Sequence, residues 1–511
     1  MSSNKILTLN ELSKKIQFLK RKSRKIVHCH GVFDVLHLGH IKHFNTAKNL
    51  GDILVVTVTP DKHVNKGPNR PIFPLEARMQ CIAALKHVDY VAANTSENAV
   101  NAIKNLKPNI YCKGKDYVNH ELDSSGQITE EAKAVKRIGG KIFYTSDELF
   151  SSSKIINSTG FNLSKEQKKF LDKLKTRRNL NSNKKISDII NSLSKLKVLV
   201  IGETIIDEYQ FCEALGKSGK EPVLVLRDLH NEKYLGGAAA IARNLSNFCK
   251  NITLLSNIGE KKEHISFINQ HLQKNVKKDF LIKKGSCTII KKRFVDDINK
   301  SKVLGVYSIN DNPLNKKDRI NFDKKILKYI KGHDLVVVSD YGHGLISDNS
   351  AKLIIKKSKF LAVNAQLNAA NIGYHTISKY VGADLIIINE NEMRHELRNK
   401  IDDVNILIRQ LADKLKSKFT TVTSGNMGSR IYVRKLKKLM LCPAFAKKIT
   451  DKIGTGDTML ALLSIAIYKK IDINFSMLIS ALAAAMNIQH MGNSIPVKKT
   501  NVIKALQSYL S

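Results

Sequence analysis

Two stretches of this sequence alternate short apolar runs with helical patterns, and this alternation limits the fold more than any other feature. In the first stretch the apolar runs are residues 26–28, 53–58, 90–92, 110–112 and 142–144. In the second they are residues 198–201, 335–338, 385–388 and 420–422. Strands buried in a parallel sheet read as short continuous apolar runs, with the connecting helices between them. The pattern therefore predicts two α/β domains.

A polar segment separates these stretches. Residues 158–197 are rich in Lys, Asn and Ser, and within them Ser164 and Gln167 stand at the spacing of a helix capping box. An apolar face follows, which predicts a short helix. The expected organisation is a first domain, a linker with one short helix and a second domain, with the boundaries 1–160, 161–196 and 197–511.

The formal net charge of +40 is the largest departure from an ordinary composition. Lysines occur in nearly every segment, and aromatic residues make up only 6% of the chain. Dispersed lysines are typical of solvated surfaces, whereas nucleic-acid binding uses clustered basic side chains. We therefore expect no specific nucleic-acid partner, and a basic nucleic-acid-binding protein on degenerate enzyme domains stays open as an alternative. A positive field also favours anionic substrates.

The compartment follows from the cysteines and from the apolar runs. The seven cysteines are dispersed and form no C-x-x-C pair, which argues against a disulfide framework or a zinc site and favours a reducing compartment. No apolar run approaches the ~20 residues of a membrane helix. Residues 1–24 are polar and lack the apolar core of a secretory signal. We therefore expect a cytoplasmic protein with no membrane partner.

The first chemical motif is G-V-F-D-V-L-H-L-G-H at residues 31–40, which follows a predicted strand and opens a predicted helix. His37 and His40 are three residues apart near the helix N-terminus, where free backbone N–H groups and the helix dipole favour anions. Two imidazoles on one face can donate hydrogen bonds to phosphate oxygens. Gly39 lets a phosphate chain approach the backbone. The motif predicts a phosphate-binding site.

This segment resembles the HxGH motif of the Rossmann-like, cytidylyltransferase-like nucleotidyltransferases. Four other segments resemble the adenylyltransferase half of bifunctional heptose kinase/adenylyltransferases: K-G-P-N-R-P at 66–71, P-L-E-A-R-M at 74–79, K-G-K-D-Y at 113–117 and F-S-S-S-K-I-I at 150–156. The resemblance covers nearly all of residues 25–160. It implies that a sugar 1-phosphate oxygen attacks the α-phosphorus of a nucleoside triphosphate, and that pyrophosphate leaves.

The resemblance also implies roles for single residues. His37 and His40 are the implied catalytic pair and contact the triphosphate, while Lys66 and Arg78 neutralise phosphate charge. The other implied nucleotide- and phosphate-binding residues are Phe33, Gly39, Gly114, Asp116, Tyr117, Ser151, Ser152 and Ser153. ATP is the favoured nucleotide, and CTP stays open.

The second chemical motif is T-D-K-I-G-T-G-D-T at residues 450–458, which precedes an apolar helix. A glycine-rich turn that opens a helix presents backbone N–H groups to an anion. Asp457, just inside that helix, is placed to take a proton from a substrate hydroxyl during phosphoryl transfer. Taken alone, this motif fits a simple turn with a helix cap equally well. Other motifs along the chain are therefore needed to distinguish a catalytic turn from an ordinary one.

Four companion motifs precede this turn along the chain: G-E-T-I-I-D at 202–207, G-G-A-A-A-I-A-R-N at 236–244, N-E-N-E at 389–392 and T-S-G-N-M-G at 423–428. The ordered set resembles the ribokinase-like (PfkB) carbohydrate kinases across residues 198–511, with the kinase half of the heptose enzymes as the nearest branch. The resemblance implies a ribokinase-like α/β domain with a small β lid, and residues 223–226 are assigned to that lid.

The kinase resemblance assigns Asp457 as the catalytic base. The implied anion hole is Gly454, Thr455 and Gly456. The implied sugar-binding residues are Asp207, Gly236, Gly237 and Asn244, and the implied ATP-binding residues are Asn389, Glu392, Thr423, Gly425 and Gly428. Mg²⁺ is implied at both sites, held mainly through phosphates, with Glu392 reaching it through water.

The sequence departs from the family patterns in four places. Lys115 stands where the heptose family has a second glycine. Ser146 and Asp147 lie in the region where glycerol-phosphate cytidylyltransferases have an arginine, and this difference argues against membership of that branch. Thr455 replaces the usual alanine of the anion hole, and Lys452 stands where a small residue is common. None of these changes removes the predicted base.

Together the resemblances imply a bifunctional transferase that makes a nucleotide sugar. One half would phosphorylate a sugar resembling heptose 7-phosphate at its anomeric position with ATP. The other would transfer a nucleotidyl group to a sugar 1-phosphate, giving a product such as ADP-heptose. The familiar fusion has the kinase first, and here the order is reversed. A CTP-dependent pathway for another sugar or polyol is the alternative. Ribokinase-like halves often pair through their lids, so a homo-oligomer is expected.

Overall fold

The computed structural model describes residues 3–114, 126–145, 163–176 and 182–510. The chain divides into two compact units. The first consists of Met1–Ser187 together with Thr500–Ser511, and the second of Asp188–Lys499. The last twelve residues therefore belong to the first unit, although they follow the second unit along the chain.

The first unit is built on a five-stranded parallel sheet with the strand order β3-β2-β1-β4-β5. Its strands are β1 Ile26–Gly31, β2 Ile53–Val58, β3 Tyr90–Ala93, β4 Ile110–Gly114 and β5 Lys141–Thr145. The order reverses direction at β1, and in such a sheet ligands bind outside the carboxyl ends of the strands near that point. The HxGH motif begins at the carboxyl end of β1 and therefore lies there.

Helices connect these strands and continue beyond them. They are α1 Leu9–Arg21, α2 Leu38–Lys48, α3 Leu75–Ala83, α4 Val100–Leu106, α5 Gln127–Arg137, α6 Lys165–Lys175 and α7 Asn183–Ser192. The capping box predicted before α6 is present, since the Ser164 hydroxyl accepts a hydrogen bond from the Gln167 N–H and the Ser164 N–H donates to Gln167 Oε1. These bonds satisfy two of the N–H groups that a helix start leaves unpaired.

The second unit contains a nine-stranded sheet with the order β10-β9-β6-β13-β14-β15-β16-β17-β18. Its strands are β6 Lys197–Gly202, β9 Asn251–Gly259, β10 Val276–Lys283, β13 Leu335–Asp340, β14 Leu361–Ala365, β15 Leu385–Asn389, β16 Phe419–Thr423, β17 Ser429–Val433 and β18 Lys438–Cys442. Strands up to β16 run parallel, and β17 and β18 complete an antiparallel edge.

The helices of the second unit are α8 Gly237–Ser246, α9 Ile265–His271, α10 Lys316–Ile330, α11 Asp348–Lys357, α12 Glu390–Leu397, α13 Val404–Leu415, α14 Thr455–Tyr468 and α15 Ile473–Asn487, and α16 Lys499–Leu510 then returns the chain to the first unit. Phe322 of α10, Ile354 of α11 and Leu411 of α13 are fully buried in one core with the sheet. Helix α14 is apolar on all sides, as expected of a helix enclosed by its neighbours.

A four-stranded sheet forms the predicted lid, with the order β12-β11-β7-β8. Its strands are β7 Thr204–Lys217, β8 Leu224–Gly236, β11 Ile289–Asp296 and β12 Lys302–Ser308. The two-domain α/β fold with a ribokinase-like lid, expected from the sequence, is thus confirmed. Within the described residues, no helix is long and apolar enough to cross a lipid bilayer.

Candidate active sites

The HxGH segment forms the turn between β1 and α2. His37 is the N-cap of α2, and its Nδ1 accepts a hydrogen bond from the Gly39 N–H at 3.1 Å. The His37 and His40 rings stack with centroids 3.8 Å apart, and Phe33 meets His40 edge-on at 5.4 Å. The turn therefore brings together Phe33, His37, Gly39 and His40, as predicted.

Both imidazoles are held in the neutral form. Burial lowers the pKa of His40 to about 3, and electrostatic repulsion by Lys66 and by any charge on His37 adds to the effect. Burial and Lys66 also lower the pKa of His37. A neutral imidazole can donate one hydrogen bond to an anion without a proton being taken up first. The Lys66 ammonium acts on both rings, so the predicted phosphate ligands form one electrostatic cluster.

Arg78 lies behind this turn. Its side chain is buried and donates hydrogen bonds to the carbonyls of Val32, Thr59 and Phe73 and to the carboxylate of Asp61. In this structure the guanidinium therefore ties the backbone after β1 and β2 to the start of α3. These hydrogen bonds occupy most of the five N–H donors of the guanidinium. The predicted two-point contact of Arg78 with a phosphate would therefore require some of them to break.

Of the remaining predicted residues of this site, the structure describes one, Gly114. Gly114 ends β4, where a Cβ would have no described residue other than its chain neighbours within 4 Å. The other five, Asp116, Tyr117, Ser151, Ser152 and Ser153, lie outside the described residues.

One group of potential metal ligands lies beneath the turn. The ligand atoms of Cys29, His43 and Cys112 lie within 4.8 Å of one another. Burial raises the pKa of the Cys29 thiol well above its usual range, and thiolate is the form that binds metals. Both cysteines are fully buried in the apolar core of the first unit. The raised pKa and the apolar surroundings are typical of cysteines that contribute to core packing.

In the second unit, a cavity of ≈ 260 Å³ opens between the carboxyl ends of the large sheet, the lid and the start of α14. Predicted residues in its lining are Asp207, Gly237, Asn389, Glu392, Thr423, Gly454, Gly456 and Asp457. The structure thus gathers residues that are up to 250 positions apart into one site. Gly425 and Gly428 follow β16 outside this lining, and both have positive φ angles.

Asp457 lies in the first turn of α14 and is partly buried beside Tyr341. The Tyr341 hydroxyl donates a hydrogen bond of 2.8 Å to Asp457 Oδ1. Burial raises the pKa of Asp457 to about 7, because the charged form loses its hydration. The negative charge of Asp207 acts in the same direction, whereas the Tyr341 hydrogen bond and Lys291 oppose it. A carboxylate with this pKa can take up a proton near neutral pH.

The turn before α14 depends on glycine at position 454. Gly454 has a φ of +78°, and a Cβ there would collide with the side chain of Asn493. Glycine adopts this backbone without strain and brings the N–H groups of the first helical turn to the cavity. The Thr455 hydroxyl is buried and has no hydrogen-bond partner among the described residues.

Asp207 and Gly237 line another part of the cavity, and Gly236 lies next to them. Asp207 Oδ1 accepts a hydrogen bond of 2.7 Å from Arg293. A Cβ at Gly236 would collide with the Asp207 carboxylate, and a Cβ at Gly237 would collide with the carbonyl of Glu203. Gly236 therefore leaves room for the Asp207 carboxylate at the start of α8, and Gly237 leaves room for the Glu203 carbonyl.

Asn244, the fourth predicted sugar ligand, lies outside the cavity lining. Its side-chain amide donates to Thr458 Oγ1 at 3.2 Å, and its Oδ1 accepts from the Val497 N–H at 3.2 Å. It therefore joins α8 to α14 and to the segment that follows α15.

Glu392 and Asn389 form a capping box at the start of α12. The Glu392 carboxylate accepts hydrogen bonds from the N–H groups of Asn389 and Leu367. Burial raises the pKa of Glu392 to about 7 despite these bonds. An oxygen-rich group of Asn389, Glu392, Thr423 and Asp457 thus faces the cavity, which fits the preference of Mg²⁺ for hard oxygen ligands.

Comparison with known families assigns the second unit to a family. Residues 195–500, more than half of the chain, match the family model described as pfkB family carbohydrate kinase. The chain belongs to the pfkB family of carbohydrate kinases. Residues 28–158 match a second model, described as cytidylyltransferase-like. The resemblance to a heptose kinase/adenylyltransferase with reversed domain order is therefore confirmed at the level of families.

Curated relatives agree with both matches. The bifunctional protein HldE of Campylobacter jejuni (strain RM1221) is 29% identical over 305 residues, which are 59% of this chain and 63% of that protein. The bifunctional protein HldE of Pectobacterium carotovorum subsp. carotovorum (strain PC1) is 33% identical over 162 residues, 31% of this chain and 33% of that protein. The aligned part is thus under two thirds of the length of these relatives.

Among solved structures, phosphofructokinase-2 from Escherichia coli in complex with potassium superimposes with a TM-score of 0.51. The superposition covers 61% of this chain and 98% of that chain, at 13% sequence identity. At this identity the likeness shows the fold alone, and it agrees with the pfkB assignment.

The pfkB cavity also contains residues that the sequence motifs did not reveal. They are Lys291 and Arg293 on β11, and Lys302 on β12. Burial alternates along the whole of β11, and its two cavity residues are two positions apart. Basic side chains at alternate positions of a buried strand were the available signal, because residues i and i+2 share one face of a sheet. Lys452, noted as a departure, lines the cavity too.

Proposed function

We propose that this chain is a bifunctional enzyme of nucleotide-sugar biosynthesis. Its pfkB unit would use ATP to phosphorylate a sugar resembling heptose 7-phosphate at the anomeric position. Its first unit would transfer a nucleotidyl group, with ATP as the favoured donor, to a sugar 1-phosphate. The observation that carries the proposal is the presence in one chain of a carboxylate with a raised pKa at a glycine-rich helix start and of an HxGH histidine pair. A sugar kinase and a nucleotidyltransferase catalyse consecutive types of reaction.

In the kinase step, Asp457 takes the proton of the sugar hydroxyl as that oxygen bonds to the γ-phosphorus of ATP. The bond from the γ-phosphorus to the β–γ bridging oxygen breaks, and ADP leaves. Backbone N–H groups of the turn at Gly454 and Gly456 stabilise the charge on the transferring phosphoryl group. Mg²⁺ would arrive with the ATP phosphates and neutralise their charge, with Glu392 as its protein contact through water.

The charge of the cavity favours an anionic sugar. Four basic side chains line it: Lys291, Arg293, Lys302 and Lys452. Three carboxyl groups face them, and burial raises the pKa of two of these, Glu392 and Asp457, to about 7. At neutral pH the lining is therefore net positive. A sugar that already carries a phosphate is the substrate that such a lining attracts.

In the nucleotidyl transfer, an oxygen of the sugar 1-phosphate attacks the α-phosphorus of the nucleoside triphosphate, and pyrophosphate leaves. The task of the protein is to hold two anions in line and to neutralise charge. His37 and His40 would donate hydrogen bonds to the triphosphate. Lys66 would supply the positive charge.

Substrate panels on the full-length protein test the proposal. We expect ADP formation from ATP with heptose 7-phosphate, and pyrophosphate release from ATP with heptose 1-phosphate. Turnover only with CTP and another sugar or polyol phosphate would support both reaction mechanisms but would assign the enzyme to a different biosynthetic pathway. Absence of turnover with every pair, together with a steep salt-dependent affinity for nucleic acid, would favour the nucleic-acid-binding alternative instead.

The pH dependence of the kinase step follows from Asp457. A base must be deprotonated to act, so kcat/KM for sugar phosphorylation should rise about tenfold per pH unit up to a pH of about 7 and level off above it. Tyr341→Phe removes a hydrogen bond that holds the pKa of Asp457 down, so the rising limb should move to higher pH. Substrate titration is the same in both proteins, and coincident pH profiles would contradict this role of Asp457.

The lid suggests a homo-oligomer. Leu304 and Val306 on β12 are about half exposed, and they lie on the face opposite Gly305, which pairs with Arg293. We expect a dimer of the full-length protein in which this apolar face is buried against a second copy. Changing Leu304 and Val306 together to lysine should give monomers in analytical ultracentrifugation. Ile401→Lys, at a loop position that is 93% exposed, is the matched control and should leave the dimer intact.

A further inference from the structure

Helix α16 lies almost wholly beyond the residues that match the pfkB family and belongs to the first unit. The pfkB match ends at residue 500, and α16 spans Lys499–Leu510. From Thr500 onward it is grouped with the unit that carries the HxGH turn. One face of the helix is buried, including Leu506 and Tyr509. The nucleotidyltransferase unit therefore includes a helix that lies more than 300 residues away along the chain.

Tyr509 joins helix α16 to Gly67 and Pro68, which follow Lys66. It is 4% exposed, and its hydroxyl donates a buried hydrogen bond of 2.9 Å to the carbonyl of Pro68. Its ring also covers Gly67, where an added Cβ would lie 2.8 Å from Tyr509 Cε2 and 3.3 Å from Ala505 Cβ. Gly67 has a φ of +107°, so both its backbone and the helix above it require glycine.

The segment under Tyr509 leads directly into the HxGH site. Residues 66–71, here called the lysine loop, begin with Lys66, whose charge lowers the pKa of both histidines of the motif. The lysine loop ends next to the HxGH turn, because Arg70 lies 3.6 Å from Asp34 and both side chains are buried. Asp34 also accepts hydrogen bonds from the N–H groups of Ile72 and Phe73. The HxGH turn thus holds one end of the lysine loop, and α16 holds its middle.

We propose that helix α16 is a positioning element of the nucleotidyltransferase site, in which Tyr509 fixes the lysine loop so that Lys66 faces His37 and His40. Lysine is a long, flexible side chain, so the place of its ammonium depends on the backbone that carries it. Small displacements of a charged group at a reacting centre cost large factors in rate. The catalytic part of this proposal rests on the proposed function, and the structural part does not.

Kinetics of full-length variants test the catalytic part. Tyr509→Ala removes the ring and the hydrogen bond, and we expect the KM for ATP in pyrophosphate release to rise about tenfold, with a smaller fall in kcat. Tyr509→Phe keeps the ring on Gly67 and should give an intermediate effect. Sugar phosphorylation by the same samples should stay within about twofold of wild type, which controls for the amount of folded protein. Equal losses in both reactions would overturn the proposal.

Gln507→Ala is the matched control on the same helix. The Gln507 amide donates to the Asn183 carbonyl and to Ser187 Oγ, away from the lysine loop. This change weakens the attachment of α16 without altering its contact with Gly67 or Pro68. We expect unchanged kinetics in both reactions. A rise in the KM for ATP equal to that of Tyr509→Ala would overturn the role of the tyrosine contact.

Amide hydrogen exchange tests the structural part without any substrate. Peptides that cover residues 62–73 should exchange faster in Tyr509→Ala than in wild type, and at the wild-type rate in Gln507→Ala. Unchanged exchange in Tyr509→Ala would overturn the proposal, whatever the protein catalyses. Faster exchange in a protein that turns over no nucleotide and sugar pair would leave the positioning contact standing and reject the proposed function.

Discussion

Replacing Asp457 with asparagine should lower kcat for sugar phosphorylation by about 1,000-fold, within the 10²–10⁴ range for loss of a general base. Asparagine has nearly the same volume and can still accept the hydrogen bond from Tyr341, so the fold around α14 should persist. The amide has no basic oxygen to take the sugar proton. Nucleotidyl transfer from added sugar 1-phosphate should keep its wild-type rate, because Asp457 belongs to the second unit.

The measurement is ADP formation and pyrophosphate release on the same preparation. Asp472→Asn is the control, since Asp472 caps the neighbouring helix α15 through its side chain and asparagine caps helices equally well. It removes one carboxylate of the second unit without touching the cavity. A wild-type kinase rate in Asp457→Asn would rule out this residue as the base, and loss of both activities would contradict two independent sites.

Replacing His40 with alanine should do the converse and lower kcat for nucleotidyl transfer by about 100- to 1,000-fold. That range is typical for removal of one donor that stabilises transition-state charge. The His40 ring stacks on His37 and contacts Phe33, so alanine also loosens the other histidine. Sugar phosphorylation should be unaffected.

His87→Ala is the control for this change, because His87 lies in the same unit, in the turn before β3, away from the HxGH turn. Its pyrophosphate release should match wild type. If His40→Ala retained full nucleotidyl transfer while Lys66→Ala lost it, the lysine rather than the histidine pair would carry the charge stabilisation, and the proposed role of His40 would be rejected.

The sequence was most informative where chemistry is local. The HxGH turn and the turn before α14 each place their groups within ten consecutive residues, so spacing alone predicts their geometry. The cavity confirms that the separate kinase motifs meet, because the carboxyl ends of β15 and β16 lie beside the start of α14. Parallel sheets make such meetings predictable, since every strand points its carboxyl end to one edge.

Residues whose role depends on distant partners were harder to predict. Arg78 matched a motif position, but its donors are engaged by carbonyls from three other segments. Asn244 matched as well, yet it bonds to Val497, which is 253 positions away. Lys291 and Arg293 have no motif around them, because a lid strand is constrained by alternation and not by a fixed turn. The sequence order of the domains gave no indication that α16, at the end of the chain, packs in the first unit.

The division of labour between α14 and β11 has a consequence for how such an enzyme can diversify. The proposed proton acceptor sits on a buried helix whose glycine turn tolerates no side chain at Gly454, whereas Lys291 and Arg293 alternate on a strand of the lid sheet. Under the proposed function, the charge that the cavity presents to a sugar can therefore change at two positions of one strand, while the proposed base and its glycine turn stay the same.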